Sequence, residues 1–439
     1  MLFFSFKKVA FMRYHNNRLS ALSLIIIFFS SLHAISITEL TDEELVGQLL
    51  MVSVNAEEIN ETTHTLINEL HVGGIIYYAF YNRLHSAEQV TKLSAGLQAL
   101  AAHTRTKIPL IIAIDHEGGR VHRFEKDLTK FPPAFAYGII NDATLTKQCA
   151  QAMGDELRAI GITMDLAPVV DVMSNPNNPI IGTRAFGTTP ESVITHAGAY
   201  IEGLHDAGIA TSIKHFPGHG DTATDSHVTV PIIHKSIVEL NSCELAPFYA
   251  LANKTDSIMS AHLLIPELDK NTCSTLSAQT LALLRTQAGF KGIIISDSLV
   301  MQGVLGYTHN SVAQAACAAS KAGCDILLIG GRCLVGSTLH EPTVDTIREV
   351  HKTLVDALKS GDLPRENIEA SVARILALKQ VYGMVKPEPV QYAEHSRLAC
   401  MVAQKAQTKL TATHDSFGLS EAVHETFSKQ LSALAAQNN

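Results

Sequence analysis

The feature that most constrains the fold is an alternation of short apolar runs with amphipathic segments, which begins near residue 41. Runs rich in β-branched residues are typical of buried parallel strands, and the segments between them have the spacing of covering helices. The apolar runs are Gln48–Val54, Val72–Tyr78, Ile108–Asp115, Ile162–Val169, Ile209–Lys214, Ser257–His262, Gly292–Asp297 and Asp325–Gly330. This repeated strand-then-helix order predicts an α/β fold, a (β/α)8 TIM barrel, better than an open sheet.

The segments between and after these runs indicate how the rest of the chain is organised. Helices are predicted at Ser86–His103, Leu145–Ile160, Pro190–Ala207, Ser277–Ala288, Val312–Ala322, Pro342–Ser360 and Arg365–Tyr382. We place the barrel domain at residues 35–385 and a short C-terminal helical tail at residues 386–439. The tail has helix-like stretches at Glu394–Thr408 and Ser420–Ala436, and its sequence leaves open whether it docks or stays mobile.

Residues 1–34 differ in composition from the rest of the chain. Basic residues, among them Lys7 and Arg18, precede an apolar run, Ala21–Phe29, which fades through small residues to Ala34. This is the layout of a secretory signal peptide, or of an N-terminal anchor if the segment is not cleaved. We therefore expect an exported protein, periplasmic or extracellular, that is either released or held at the inner membrane by its N-terminus.

Charge and cysteine content exclude some classes of partner. The net charge is −8 and no long basic run occurs, which argues against binding to nucleic acid. The sequence indicates no obligate protein partner. Its seven cysteines form no C-x-x-C pair and have no zinc-like spacing, so buried free thiols are expected. They are Cys149, Cys243, Cys273, Cys317, Cys324, Cys333 and Cys400.

The densest group of reactive side chains lies in KHFPGHGDTATDSH, from Lys214 to His227. Only Ser226 separates Asp225 from His227, so a bent loop lets the carboxylate orient the imidazole and stabilise its protonated form. Such a histidine can act first as a general acid and then as a general base. The cluster also contains suitable metal ligands in His215, His219, His227 and an Asp, and spacing alone leaves both explanations open.

Three further motifs carry groups that can bind or attack a substrate. Asp115 opens DHEGGR, whose glycine pair lets the backbone pass close to a ligand, and Arg184 lies in GTRAFG. Asp297 follows the seventh apolar run, where a carboxylate can attack an anomeric carbon. Asp115, Asp165 and Asp171 also lie near strand ends, so these residues list candidate nucleophiles without choosing among them.

Together these motifs resemble glycoside hydrolase family 3, and within it the β-N-acetylglucosaminidases that act on bacterial cell-wall fragments. KHFPGHGDTATDSH is similar to that subgroup's K-H-F-P-G-H-G-x-x-x-x-D-S-H signature at every fixed position. DHEGGRV, LAPVVDV, GTRAFG and ISDSLVMQG occur in the family's order and extend the resemblance over residues 41–385. His116 stands where the family usually has Gln, and Ala185 where Ser is commoner.

The resemblance implies a role for each matching residue. Asp297 corresponds to the nucleophile, His227 to the acid/base and Asp225 to its partner. The residues implied to hold the non-reducing N-acetylglucosamine are Asp115, Arg184, Lys214 and His215. Metal and other cofactors are not required in the implied reaction.

The implied activity is hydrolysis of terminal non-reducing β-N-acetylglucosamine, with retention of configuration, from peptidoglycan fragments or chito-oligosaccharides. The expected partner is therefore a small carbohydrate, such as a muropeptide or an N-acetylglucosamine oligosaccharide. Two alternatives remain from other classes: a catalytically silent protein that binds wall fragments, and a metal-dependent barrel hydrolase.

Overall fold

The computed structural model describes residues 36–124, 126–223, 230–331, 333–335, 338–383, 389–413 and 417–436. The predicted signal segment, residues 1–34, lies outside these ranges, and so do Asp225 and His227. None of the helices within the described ranges has the length and apolar character needed to span a bilayer.

Eight parallel strands form the centre of the molecule, and each is hydrogen-bonded to its neighbours in chain order. They are β1 (Leu50–Ser53), β2 (Gly74–Tyr77), β3 (Ile111–Ile114), β4 (Met164–Asp165), β5 (Ala210–Phe216), β6 (Ser257–Ser260), β7 (Ile293–Ile295) and β8 (Leu327–Ile329). Strand β1 pairs with both β2 and β8, so the sheet curves into a nearly closed barrel. The predicted TIM barrel is confirmed, and each of the eight apolar runs coincides with one strand.

Helices cover the barrel and follow its last strand. They are α1 (Asp42–Gln48), α2 (Glu61–His64), α3 (Ala79–Asn82), α4 (Ala87–His103), α5 (Ala134–Ile140), α6 (Ala143–Ala159), α7 (Pro190–Asp206), α8 (Ile237–Ser242), α9 (Ala246–Leu251), α10 (Ala278–Thr286), α11 (Gln302–Leu305), α12 (Val312–Ala322), α13 (Val344–Ser360), α14 (Arg365–Tyr382), α15 (Tyr392–Thr413) and α16 (Glu421–Ala435). An antiparallel hairpin, β9 (Cys333–Val335) and β10 (Thr338–His340), follows β8. Every predicted helix is present, whereas the shortest helices and the hairpin were not predicted.

The long helices begin where side chains can satisfy free backbone N–H groups. Ser86 accepts a hydrogen bond from the backbone of Gln89 at the start of α4, and Asp142 caps α6 in the same way. Helix α7 is capped by Thr189 and has Pro190 in its first turn, where a missing N–H is harmless. These caps explain why sequence patterns located the helix starts closely.

The barrel ring closes between β7 and β8, a junction we call the seam. Its strands share one parallel bridge, Ile295 with Ile326. Buried Asp325 reinforces it, because its backbone N–H donates to the carbonyl of Ile294 at 2.7 Å and its carboxylate accepts the N–H of Ile294 at 2.8 Å. The same carboxylate accepts hydrogen bonds from Arg285 at 2.7 Å and Arg374 at 2.7 Å, which tie the seam to α10 and α14.

The C-terminal tail docks on the barrel domain. Helices α15 and α16 contact each other, and α15 also packs against α5 and α6. His395 places Nδ1 2.9 Å from Oε1 of buried Glu156, while the rings of Phe427 and Phe135 meet edge to face with centroids 5.8 Å apart. Polar contact with a buried carboxylate and aromatic packing therefore both hold the tail.

We expect His395→Ala to lower the free energy of unfolding by about 1–3 kcal/mol, because it removes a partner from a buried carboxylate. Hydrogen exchange should quicken in α15 while the barrel strands remain protected. Lys405→Ala, at an exposed position on the same helix, is the matched control. Unchanged exchange in α15 would show that the His395 contact does not hold the tail.

Candidate active site

Most of the predicted site residues that the structure describes lie at the C-terminal end of the barrel strands. Asp115 directly follows β3, Lys214 lies in the last half of β5, and Asp297 comes two residues after β7. Because parallel strands end on the same face of the barrel, these side chains share the region in which TIM barrels carry their chemistry.

Four charged side chains form a continuous chain of ion pairs, which we call the charged network: Asp115, Glu117, Arg184 and Lys214. The ammonium of Lys214 lies 2.7 Å from Oδ1 of Asp115 and 2.7 Å from Oε1 of Glu117. Arg184 grips Glu117 with a fork of two hydrogen bonds, each 2.7 Å long. Since Lys214 is only 2 % exposed, its charge depends on these carboxylates.

The pKa values show that the charged network stays ionised at neutral pH. Burial favours the neutral form of Glu117, but the charges of Arg184 and Lys214 reverse this and hold its pKa well below the usual range. Burial likewise acts to lower the pKa of Lys214, yet the two carboxylates raise it above its ordinary value. For Asp115, burial is outweighed by Lys214 and Arg123, so its pKa is lowered. Each charge thus depends on its neighbours.

His215 connects the charged network to a buried carboxylate. Its Nδ1 lies 2.7 Å from Oδ2 of Asp171, and its Nε2 lies 3.4 Å from Nη2 of Arg184. The other oxygen of Asp171 accepts the backbone N–H groups of His215 and His219, at 3.2 Å and 2.6 Å. Asp171 therefore orients the His215 ring, and with the carboxylate at Nδ1 the other ring nitrogen, Nε2, is directed at Arg184.

The candidate nucleophiles differ in accessibility. Asp165 and Asp171 are fully buried, and both accept backbone hydrogen bonds. Burial also raises the pKa of Asp165 well above its ordinary value, which favours its neutral form. Asp297 is partly exposed and accepts a 2.7 Å hydrogen bond from the backbone N–H of Ser298. Among the described candidate nucleophiles outside the charged network, Asp297 is therefore the accessible one.

The segment 217–223, which follows β5, forms a compact turn beside the charged network. Asn178 fixes it by donating to the carbonyls of His219 and Gly220, at 2.8 Å and 3.0 Å. Gly220 has no room for a side chain, because a Cβ there would lie 1.6 Å from the carbonyl oxygen of Val172. Burial lowers the pKa of His219 to about 4, so its imidazole is neutral at pH 7.

The glycine pair in DHEGGR lies in a turn that packs closely against neighbouring backbone and proline atoms. Gly118 and Gly119 both have positive φ, +82° and +57°. A Cβ on Gly118 would lie 2.9 Å from the carbonyl oxygen of Pro132, and one on Gly119 would lie 2.5 Å from Cβ of Pro133. The glycines therefore allow the turn to pack closely against its own chain, and their approach to a ligand stays a prediction.

Sequence reasoning overlooked two members of the site, Glu117 and Asp171. Glu117 was not among the predicted site residues, and Asp171 was predicted only as a possible nucleophile. The overlooked anions could have been sought by counting charges. A buried lysine and a buried arginine, here Lys214 and Arg184, require nearby anions. Asp115 alone cannot pair both Lys214 and Arg184.

The metal alternative can be examined only at the described residues, and these do not include 224–229. Among those residues, no three His, Cys, Asp or Glu side chains are placed to hold a metal ion. At His215 the nearby guanidinium of Arg184 also opposes the approach of a cation to Nε2.

Known proteins resemble this chain in sequence and in fold. The model of the glycosyl hydrolase family 3 N-terminal domain matches residues 41–378. A β-hexosaminidase from Tolumonas auensis is 37% identical over 286 residues, which cover 64% of this chain and 81% of that protein. β-Hexosaminidase A from Pseudoalteromonas piscicida is 32% identical over 396 residues, 80% of this chain and 63% of that protein.

The fold comparison agrees with the sequence comparison. A family 3 β-N-acetylglucosaminidase from Paenibacillus sp. FPU-7 superposes with a TM-score of 0.77 and 37% identity, covering 84% of this chain and 69% of that one. With the barrel, the motifs and the family model all in agreement, the chain belongs to glycosyl hydrolase family 3.

Proposed function

We propose that this chain is a retaining β-N-acetylhexosaminidase that removes terminal non-reducing β-N-acetylglucosamine from peptidoglycan fragments or chito-oligosaccharides. The observation that carries the proposal is the charged network at the C-terminal end of the barrel. Three of its four members, Asp115, Arg184 and Lys214, match the residues that the family resemblance assigns to sugar binding, and His215 adjoins them. Relatives named as β-hexosaminidases support the same activity.

The charged network suits recognition of sugar hydroxyls. Asp115 can accept hydrogen bonds from hydroxyl groups, while Lys214 and Arg184 supply donors from fixed positions. Their mutual ion pairs set these positions before a sugar arrives, so binding requires little reorganisation. A neutral ligand with many hydroxyls thus replaces water without disturbing the balance of charge.

The proposed reaction has two displacements at the anomeric carbon. Asp297 attacks that carbon and forms a C–O bond, while the glycosidic bond breaks and its oxygen takes a proton from the imidazolium of His227. Neutral His227 then removes a proton from water, which attacks the same carbon and releases the carboxylate of Asp297. Asp225 stabilises the imidazolium. Two inversions give net retention.

The experiment that tests this proposal is turnover of 4-nitrophenyl N-acetyl-β-glucosaminide, with the configuration of the first-formed product followed by NMR. We expect β-N-acetylglucosamine to appear before mutarotation. Absence of turnover from mildly acidic to mildly basic pH would contradict the proposal. Tight binding of wall fragments without turnover would instead favour the silent binding protein, and activity lost on dialysis against EDTA would favour the metal-dependent hydrolase.

We also propose that the protein is exported, on the basis of the signal-like composition of residues 1–34. Cell fractionation followed by mass spectrometry of the mature N-terminus tests this directly. A chain that begins after Ala34 in the periplasm or medium supports release, and an intact N-terminus in the membrane fraction supports an anchor. An intact N-terminus in the cytoplasm would contradict export.

A further inference from the structure

A second ion-pair cluster lies apart from the charged network and consists of Lys235, Asp221 and Glu244. The ammonium of Lys235 lies 2.5 Å from Oε1 of Glu244 and 3.5 Å from Oδ2 of Asp221. Ser174 donates a 3.1 Å hydrogen bond to the same oxygen of Glu244. The side chain of Glu244 is fully buried, and that of Lys235 is 19% exposed, so this cluster is unlike an ordinary surface salt bridge.

The members of the cluster lie on both sides, in sequence, of the segment that carries Asp225 and His227. Asp221 lies just before the segment 224–229, which carries Asp225 and His227, and Lys235 lies just after it. Glu244 stands between α8 and α9, two helices that follow β5. The ion pairs of Lys235 therefore join both flanks of that segment to each other and to the barrel.

Each flank is also fixed by other contacts. Before the segment, the side chain of Thr222 lies 2.8 Å from Nδ1 of His219 and accepts a 3.2 Å hydrogen bond from Asn178. After the segment, the N–H of Ile233 donates to the carbonyl of Leu264 at 3.0 Å. Neither set of contacts links one flank to the other, and among the described side chains Lys235 supplies an ionic link between them.

Glu244 also packs directly against the turn that precedes the segment. Gly218, with φ +124°, passes so close that a Cβ there would lie 2.7 Å from Cβ of Glu244. Loss of Lys235 would leave the Glu244 carboxylate buried beside this turn without its cationic partner. The consequence would fall on the flanks of the segment, which this cluster contacts.

We propose that Lys235 is a positioning residue for proton transfer: its ion pairs with Glu244 and Asp221 fix the flanks of the segment that carries His227. The inference rests on the proposed function, in which His227 protonates the leaving group. It assigns Lys235 no contact with the sugar. Its effect should therefore depend on how strongly the leaving group needs a proton.

The test compares kcat/KM for aryl N-acetyl-β-glucosaminides whose leaving groups differ in basicity. A 2,4-dinitrophenyl group leaves without protonation, whereas an unsubstituted phenyl group requires the acid. For Lys235→Ala we expect kcat/KM for the phenyl substrate to fall by about 10- to 100-fold, because a displaced acid protonates the leaving group less effectively. The loss with the dinitrophenyl substrate should stay within about 3-fold, since binding and attack are untouched.

Three comparisons keep the test decisive. Lys321→Ala removes an exposed lysine that pairs with Asp362 on the outer surface, and should affect neither substrate. Lys235→Arg should restore most of the phenyl activity, because it keeps the cation. Glu244→Gln should repeat the leaving-group dependence of Lys235→Ala. Equal losses with both substrates, or no loss with either, would overturn the proposal. Inactivity of the wild-type enzyme on both substrates would instead refute the proposed function.

Discussion

Asp297→Ala is expected to lower kcat for N-acetyl-β-glucosaminides by on the order of 10⁴-fold, the scale seen when a residue of a catalytic unit is removed. The carboxylate is the proposed nucleophile, it is partly exposed, and it stands just after β7. Asp297→Asn keeps a carbonyl that can accept the hydrogen bond from Ser298, but it removes the attacking anion. It should be equally inactive, which separates lost chemistry from lost structure.

Added azide distinguishes loss of the nucleophile from loss of the acid/base by the configuration of the glycosyl azide that forms. With Asp297→Ala, azide can attack the anomeric carbon directly, so it should restore turnover and yield the α-glycosyl azide by a single inversion. With His227→Ala, azide should instead intercept the glycosyl-enzyme and yield the β-glycosyl azide. Asp206→Ala, at a carboxylate on the outer helix α7, serves as the control. A β-azide from Asp297→Ala would show that another residue is the nucleophile.

Glu117→Ala is expected to lower the free energy of unfolding by about 3–5 kcal/mol, the usual effect of removing one partner from a buried ion pair. Glu117 pairs with both cations of the charged network, so its loss leaves Arg184 without its fork and Lys214 with Asp115 alone. Activity should fall as well, because Arg184 loses its orientation. Denaturant unfolding measures the first effect, and KM for the chromogenic substrate measures the second.

The same carboxylate predicts a pH dependence of stability. Its pKa is lower in the folded protein than its ordinary value of 4.5, so folding favours the ionised form. This stabilisation is present in full above that ordinary pKa and is lost as the pH falls below it. Glu117→Gln should therefore show a weaker loss of stability on acidification than the wild type does. Equal slopes in the two proteins would contradict the assigned ionisation of Glu117.

Most of the fold could be predicted because its signals are local. Each strand is a short buried apolar run, and helices such as α4 and α7 begin at capping residues directly visible in sequence. The hairpin β9–β10 and short helices such as α5 were missed. Segments of this length carry too few periodic positions to be recognised, and they form because the surrounding structure holds them.

Prediction of the site residues depended on the family resemblance rather than on local sequence signals. Resemblance selected Asp115, Arg184, Lys214 and His215, and the structure brings these four side chains together. Their roles in sugar binding, and those of Asp297, Asp225 and His227 in catalysis, stay predictions. Glu117 and Asp171 could not be assigned from sequence, because their importance comes from partners far along the chain. Only the fold shows that Glu117 separates two buried cations.

The seam has a consequence for catalysis that reaches across the whole barrel. Asp297 follows β7, on one side of the seam, whereas the charged network is built on residues after β3, after β4 and within β5. Strand β7 has a regular ladder with β6, whereas its described backbone links across the seam are the Ile295–Ile326 bridge and separate hydrogen bonds, such as that from Ser296 to the carbonyl of Ile326. Contacts at both ends of β7 therefore hold Asp297 in place: Asp325 bonds to Ile294 at one end, and Leu299 donates to the carbonyl of Leu328 at the other. We therefore expect that weakening the Asp325 contacts at the start of β8 would disturb the position of Asp297, the proposed nucleophile, through β7.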